Sequence, residues 1–165
     1  MFKRLFSAIC FLAFFAAASA QTAPVKKVYA YKQASIPGKK PSDTRTGTEI
    51  KKEHYRLFIT STGKEVISIN GVWIKQEYYR FTVSSKPKTP IKMEQPDDGI
   101  ILVPKTNYKV FEIMLKGKQG PSPKPGTILG KLLKANDVVI SYNWRGKQYF
   151  ATAKNIIELP PFIGM

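Results

Sequence analysis

The sequence has almost none of the residues on which common catalytic and metal centres depend. Its 165 residues include one cysteine, Cys10, and one histidine, His54. This argues against a cysteine nucleophile with a histidine base, a zinc site built from cysteines and a centre with several histidine ligands. No Gly-x-Ser-x-Gly motif marks a serine nucleophile, and no Gly-Lys-Ser/Thr sequence ends a phosphate-binding loop. We expect no cofactor, no metal site and no enzymatic activity.

Three positions still offer catalytic chemistry, and each has a plainer interpretation. His54 lies on the more polar face of a predicted strand, and Glu53 points to the other face, which favours a surface histidine over a general base. Asp97 and Asp98 form a Pro-Asp-Asp-Gly turn, where Asp hydrogen-bonds the backbone. Glu112 lies within an apolar strand and would be a candidate only if that strand is central. A hydrolase that uses His54 or Glu112 is therefore a remote alternative.

The first 20 residues predict a secretory signal peptide. Lys3 and Arg4 form a positive start, residues 5–18 are apolar, and residues 18–20 provide an Ala-Ser-Ala cleavage site. The apolar stretch is shorter than the ~20 residues of a membrane-spanning helix, so cleavage is favoured over an uncleaved anchor. We expect an exported protein, periplasmic or extracellular, that begins at Gln21 and has no transmembrane segment.

Acidic residues are scarce, and lysine supplies most of a large positive charge. The chain carries 27 Lys and Arg against 11 Asp and Glu, a net charge of +16. Cleavage would remove two positive charges and leave +14 on the remaining 145 residues. Such a surface attracts polyanions, and lysine acts as a point charge, without the bidentate geometry of arginine. We expect attachment to envelope polyanions, such as lipopolysaccharide or acidic polysaccharide, without sequence-specific recognition of nucleic acid.

The lysines concentrate in loops, and two of these loops, residues 84–92 and 116–126, would form one basic rim if they lay at the same end of the fold. Tyr78 and Trp144 would add aromatic platforms for a sugar ring or a base. The predicted polyanion-binding residues are Lys86, Lys88, Lys116, Lys118, Lys124, Trp144 and Lys147. The plainer alternative is that scattered lysines keep an exported protein soluble and protect its edge strands.

Short segments with alternating apolar residues predict an all-β protein. Residues 55–59 and 108–116 alternate apolar and polar side chains, as half-buried strands do. Asn70-Gly71 divides another apolar run and fits either a tight hairpin or a bulge in one long strand. Residues 128–135 have room for one or two helical turns. Strands spaced about ten residues apart favour an antiparallel β-sandwich, loosely Ig-like, over a small barrel.

The strongest local signal is a hairpin near the C-terminus. Residues 137–144 and 147–155 are joined by the two-residue loop Arg145-Gly146. The loop length fixes the register and makes one face of the pair continuously apolar. The facing pairs are Tyr142 with Tyr149, Ile140 with Ala151, and Val138 with Ala153. Trp144 and Lys147 meet at the tip, where a cation–π contact is expected.

Composition divides the chain into three parts. Residues 1–20 are the signal peptide, residues 21–48 are an N-terminal strand and flexible linker, and residues 49–165 are a single β-sandwich domain. Within the second part, residues 25–33 predict an edge strand. An exposed edge offers an alternative function, in which the protein is an accessory module that docks onto a protein partner by β-augmentation.

Three stretches of the sequence are similar to small exported β-rich proteins of Bacteroidota. They are Glu-Val-Ile-Ser-Ile-Asn-Gly-Val-Trp-Ile-Lys at residues 65–75, Asn-Trp-Arg-Gly-Lys-Gln-Tyr-Phe at 143–150 and Glu-Leu-Pro-Pro at 158–161. The resemblance covers residues 53–161 and implies an exported all-β domain, with no particular activity, ligand or catalytic residue. Together with the charge, it predicts an exported, non-enzymatic binding or structural module of the cell envelope.

Overall fold

The structure is a computed structural model that describes residues 23–37, 52–62, 67–86, 88–93, 99–119 and 127–164. The predicted signal peptide, the Asp97-Asp98 turn and Lys124 lie outside the described residues. The strands are β1 Val25–Pro37, β2 Lys52–Ser61, β3 Ser68–Ile74, β4 Glu77–Lys86, β5 Ile91–Lys92, β6 Ile101–Val103, β7 Lys109–Lys118, β8 Val138–Trp144, β9 Lys147–Ala153 and β10 Ile157–Gly164. One helix, α1, spans Thr127–Ala135.

Eight of the strands form one sheet in the order β10-β1-β2-β7-β4-β3-β8-β9, and β5 and β6 form a separate hairpin. Neighbouring strands are antiparallel except β1 and β10, which are parallel. The sheet curls until β9, at one edge, lies against β1 near the other edge. The predicted all-β fold is confirmed, and the curl brings two halves of one mixed sheet face to face, as in a sandwich.

The concave face of the sheet encloses the main hydrophobic core. Its buried members are Ala30, Leu57, Ile59, Val72, Ile74, Tyr79, Ile113, Val138 and Ile140. Full burial of one such aliphatic side chain contributes about 1.5–3 kcal/mol, so this face dominates the stability of the sheet. The predicted shared face is confirmed in β2 and β7, where Leu57, Ile59 and Ile113 all belong to this core. Strand β2 is not half-buried, however, because Phe58 on its other face is fully buried as well.

Two smaller clusters cover the convex face. The β5–β6 hairpin covers one of them, which contains Tyr31, Phe58, Met93, Leu102, Val103, Val110 and Leu159. Helix α1 covers the other and places Leu133 over Trp73 and Val139. With nine residues, α1 has about two and a half turns and is slightly longer than the sequence predicted. Phe58 is buried beside Leu57 because both faces of β2 are covered.

Strand β1 is not the predicted edge strand. It pairs with β2 on one side and with β10 on the other. The parallel partner comes from residues 157–164, which lie more than a hundred residues away in the chain. Local alternation carries no information about such a distant pairing, so the sequence indicated a strand but not its place in the sheet.

The Asn70-Gly71 pair forms a bulge in one strand. Strand β3 is continuous through these residues, and its register against β8 shifts between Ile69 and Gly71. A Cβ atom at Gly71 would overlap the indole ring of Trp73. Glycine is therefore required here because the ring lies directly against the backbone.

The C-terminal hairpin has the predicted register. Val138, Ile140 and Tyr142 lie opposite Ala153, Ala151 and Tyr149, respectively. Arg145 and Gly146 have φ values of 49° and 72°, the left-handed conformation that a tight two-residue hairpin loop requires. The loop thus fixes the pairing by its geometry, as the sequence predicted.

Candidate functional site

The structure separates the predicted polyanion-binding lysines between the two ends of the sheet. Lys86 lies opposite Val110 near the start of β7, whereas Lys118 is the last residue of β7. The eight residue steps from Val110 to Lys118 span about 26 Å of extended chain. We call these ends the Lys86 end and the Lys118 end. Lys86 and Lys118 therefore do not lie on one basic rim, which the sequence analysis expected only if the two loops shared an end of the fold.

Trp144 is a packing residue and does not present an exposed platform. It is 7% exposed, and its ring contacts Tyr149 edge to face, with centroids 5.6 Å apart. The cation over the ring is Arg145, at 4.8 Å, rather than the predicted Lys147, which lies opposite Trp144 and is exposed. The other predicted platform, Tyr78, is half-buried against the Trp73 ring, at 5.1 Å.

Glu112 lies in a central strand, and two cations bind its carboxylate. The side chain is 9% exposed, with Lys86 Nζ at 2.6 Å from Oε2 and Arg56 Nη2 at 3.2 Å from Oε1. Both oxygens are therefore occupied, which gives Glu112 a structural role in joining β2, β7 and β4. This pairing also fixes Lys86, one of the predicted binding lysines.

The remaining predicted lysines differ in their surroundings. Lys118 is paired with Glu77, with Nζ at 2.7 Å from Oε2. Lys88, Lys116 and Lys147 are exposed and make no ion pair within the described part of the chain. Of the predicted lysines that the structure describes, these three have a charge that no described carboxylate pairs with.

A compact basic surface forms at the Lys86 end around a pair of threonines. The Thr89 hydroxyl donates to the Thr106 carbonyl at 3.2 Å and accepts from the Thr106 N–H at 3.1 Å. We call this pair of bonds the Thr89–Thr106 clamp. It joins the segment that carries Lys88 to the segment that carries Lys105, because each lysine precedes one of the threonines.

An exposed aromatic ring completes this surface. Tyr108 is 46% exposed, and its backbone N–H donates to the Thr106 hydroxyl at 3.1 Å. We define the basic corner as Lys86, Lys88, Lys105, Tyr108 and Lys109. The sequence analysis found its first two members and missed the rest. The other members lie in the sequence Lys-Thr-Asn-Tyr-Lys at residues 105–109. Only the clamp shows that this sequence lies beside the segment that carries Lys88.

A cavity of about 390 Å³ opens at the Lys118 end of the sheet. Its lining residues are Glu53, His54, Tyr55, Glu77, Tyr79, Leu115, Gly117 and Lys118. Tyr55 and Tyr79 both pack on the main core, so their rings separate the cavity from the buried interior. Gly117 has a φ of 125°, which favours glycine, so this part of the wall carries no side chain.

Two matching triplets of side chains lie around this cavity. In the first, Glu53 contacts Lys32 Nζ at 2.8 Å and accepts a hydrogen bond from the Tyr55 hydroxyl at 3.1 Å. In the second, Glu77 contacts Lys118 Nζ at 2.7 Å and accepts from the Tyr79 hydroxyl at 3.2 Å. Each Glu reaches a Tyr two residues ahead because alternate residues of a strand share a face.

The surroundings fix the protonation state of both triplets. Burial, followed by the hydrogen bond to Glu53, raises the pKa of Tyr55 to about 12. Burial and the charge of Glu77 raise the pKa of Tyr79. Hydrogen bonds from Lys32 and Lys118 lower the pKa of Glu53 and Glu77, respectively. Both carboxylates are therefore ionised near neutral pH, and neither is the protonated acid that two-carboxylate glycoside hydrolysis requires.

The sequence analysis missed this cavity, although its signal is present. Glu-x-Tyr occurs at residues 53–55 and again at 77–79, each time at the start of a strand. The two strands are brought together by β7, which pairs with β2 on one side and β4 on the other. His54 is exposed, and Glu53 contacts Lys32 and Tyr55 instead of His54.

Wider comparisons add no assignment to these two sites. Among the described residues, no three His, Cys, Asp or Glu side chains form a group able to hold a metal ion. In the same ranges, no helix is both long and apolar enough to cross a membrane. The chain matches no protein-family model, and searches of curated proteins and of solved structures find no similar protein.

Proposed function

We propose that the protein is an exported, non-enzymatic binding module of the cell envelope that attaches to polyanions through the basic corner. The observation that carries this proposal is the Thr89–Thr106 clamp, which joins the segment that carries Lys88 to the segment that carries Lys105 and the exposed Tyr108. The ligand class is an anionic glycan, either lipopolysaccharide or an acidic polysaccharide. Its anionic groups would contact the lysines, while a sugar ring would stack on Tyr108.

The distribution of acidic residues supports this role. The described ranges contain five carboxylates, and four of them form ion pairs, namely Glu53, Glu77, Glu112 and Glu158. The fifth, Asp137, accepts a hydrogen bond from the Ile156 N–H. Each carboxylate of the described ranges is thus occupied locally, and none of them pairs with Lys88, Lys105 or Lys109.

The expected export supports the choice of ligand. The signal peptide predicted at residues 1–20 would take the protein to a compartment in which acidic glycans are abundant. Lysine supplies charge without bidentate geometry, so we expect binding that is broad among polyanions and steeply dependent on salt.

Polyanion binding is tested by removing the lysines of the corner together. Binding of the purified protein to lipopolysaccharide and to an acidic polysaccharide would be measured at low and at moderate salt. The triple variant Lys88→Gln, Lys105→Gln, Lys109→Gln should lose at least about tenfold in affinity, since one lysine near an anionic surface contributes about 1 kcal/mol. Its salt dependence should also become shallower.

A matched control removes the same amount of charge elsewhere. Lys116→Gln, Lys131→Gln, Lys147→Gln changes three exposed lysines outside the corner and should lose much less affinity. An equal loss in both triple variants would show that only net charge matters, and the basic corner would then be no site. Wild-type binding that survives high salt would point instead to an uncharged interface, such as docking onto a protein partner.

A further inference from the structure

We propose that the cavity at the Lys118 end binds a neutral saccharide unit, held between the two Lys-Glu-Tyr triplets. This site is independent of the basic corner, which lies at the opposite end of the strands. Three properties of the cavity lead to this ligand class: its hydrogen-bonding groups, its charge balance and its size.

The hydrogen-bonding groups suit a ligand whose groups both donate and accept. A carboxylate has about four lone-pair positions, and Glu53 uses two of them, for Lys32 and Tyr55. The side chains of Glu53 and Glu77 are 46% and 49% exposed, so their remaining lone pairs are accessible. Lys118 lines the cavity, and its ammonium group carries three donors, of which the two Glu77 oxygens take two, so one free donor lies beside the Glu77 acceptor. A sugar hydroxyl can bond to both at once.

The charges of the described lining residues and of the lysines paired with them cancel. Glu53 and Glu77 are balanced by Lys32 and Lys118, their ion-pair partners. A ligand with a net charge gains little from such a balanced site, in contrast to the basic corner. The balance therefore favours a neutral molecule.

The size and the lining limit the ligand to one or two sugar rings. A volume of about 390 Å³ lies at the lower end of the range for small-molecule sites, about 300–1,000 Å³. Tyr55, Tyr79 and Leu115 supply apolar surface for the C–H groups of a ring. Gly117 keeps the mouth free of a side chain at the end of β7.

The test is an NMR titration of the ¹⁵N-labelled protein with three neutral disaccharides: maltose, cellobiose and lactose. We expect saturable shifts of Tyr55, Tyr79, Leu115 and Gly117 with at least one of them, at a dissociation constant of about 1 mM or tighter. Glycylglycine and galacturonate serve as zwitterionic and anionic comparison ligands. No shift of these lining residues with any of the disaccharides, up to about ten times that concentration, would overturn the proposal. Equal shifts with glycylglycine would overturn it as well and would assign the cavity to zwitterions.

Variants separate this site from a general effect of charge. Glu53→Gln and Glu77→Gln each remove an acceptor with free lone pairs and should weaken sugar binding at least fivefold. Glu158→Gln removes another carboxylate that contacts Lys32 but does not line the cavity, so it should leave binding nearly unchanged. Equal weakening by all three would contradict the proposal.

The same titration distinguishes failure of the saccharide proposal from failure of the polyanion proposal. The corner variant Lys88→Gln, Lys105→Gln, Lys109→Gln should bind the disaccharide as the wild type does, because its changes lie at the other end of the strands. Sugar binding should also persist at high salt, where polyanion binding is lost. Loss of sugar binding in the corner variant would place the sugar at the corner and overturn the separate site.

Discussion

Tyr55 and Tyr79 meet edge to face at the Lys118 end of the sheet, with their ring centroids 6.2 Å apart. Each hydroxyl donates to the glutamate two residues before it in the same strand. This contact closes the interior of the curled sheet and holds the two Lys-Glu-Tyr triplets next to each other. The cavity is thus built on rigid strands whose side chains are fixed by packing, hydrogen bonds and ion pairs.

The two triplets should make stability depend on pH in the acid range. The pKa values of Glu53 and Glu77 are lowered from 4.5, so their contribution is present above pH 4.5 and is lost as pH falls through the lowered values. Urea unfolding of the wild type should show a lower free energy of unfolding at pH 3 than at pH 7. In the double variant Glu53→Gln, Glu77→Gln this difference should be smaller. An identical difference in both proteins would contradict the ionic role of the triplets.

Glu112 should be a stabilising residue. Glu112→Ala leaves Lys86 and Arg56 without their shared partner, but both cations are about one-third exposed and regain water. We therefore expect a loss of about 2 kcal/mol in the free energy of unfolding, measured in urea. Glu158→Ala, which removes an exposed carboxylate from an ion pair, should cost less than about 1 kcal/mol. Equal losses in the two variants would show that burial of Glu112 adds nothing to the stability its ion pairs provide.

The sequence was most informative where neighbours in the chain decide the structure. The two-residue loop Arg145-Gly146 sets the register of β8 and β9 by itself, so the facing pairs could be predicted. The alternation in β2 likewise predicted that Leu57 and Ile59 share a buried face. The burial of Phe58 between them could not be predicted, because it depends on strands β5 and β6, which pair with each other and cover the convex face.

The candidate sites depended on pairings between distant strands. Lys86 and Lys118 would have formed one basic rim only if their lysine-rich loops shared an end of the fold, and the register of β4 on β7 puts them at opposite ends. The basic corner joins side chains from separate segments of the chain, and so does the cavity. No single segment carries all the residues of either site. The sequence therefore predicted which residue types the two sites contain, whereas the pairing of the strands determines which of these residues lie together.

Gly71 should be intolerant of even a methyl group. Gly71→Ala places a Cβ atom against the Trp73 indole and forces the ring or the bulge to move. We expect a loss of about 1–3 kcal/mol in the free energy of unfolding, as for other overpacked sites. Gly99→Ala is the matched control, since a Cβ there meets no atom of the described residues within 4 Å and Gly99 does not have a left-handed φ. Thermal or urea unfolding of both variants would measure this loss. Equal stability of the two variants would contradict the close approach of the Trp73 ring to Gly71.

The Thr89–Thr106 clamp allows polyanion binding to be tested without any change of charge. Thr89→Val keeps the shape of the side chain but removes both hydrogen bonds to Thr106, so Lys88 and Lys105 lose their fixed spacing. We expect polyanion affinity to fall about threefold to tenfold, a loss of about 1 kcal/mol that is typical of a lost hydrogen bond. Thr82→Val, on an exposed position of β4, is the matched control and should bind as the wild type does. If both variants bind equally well, the lysines act as diffuse charge, and the corner has no defined geometry.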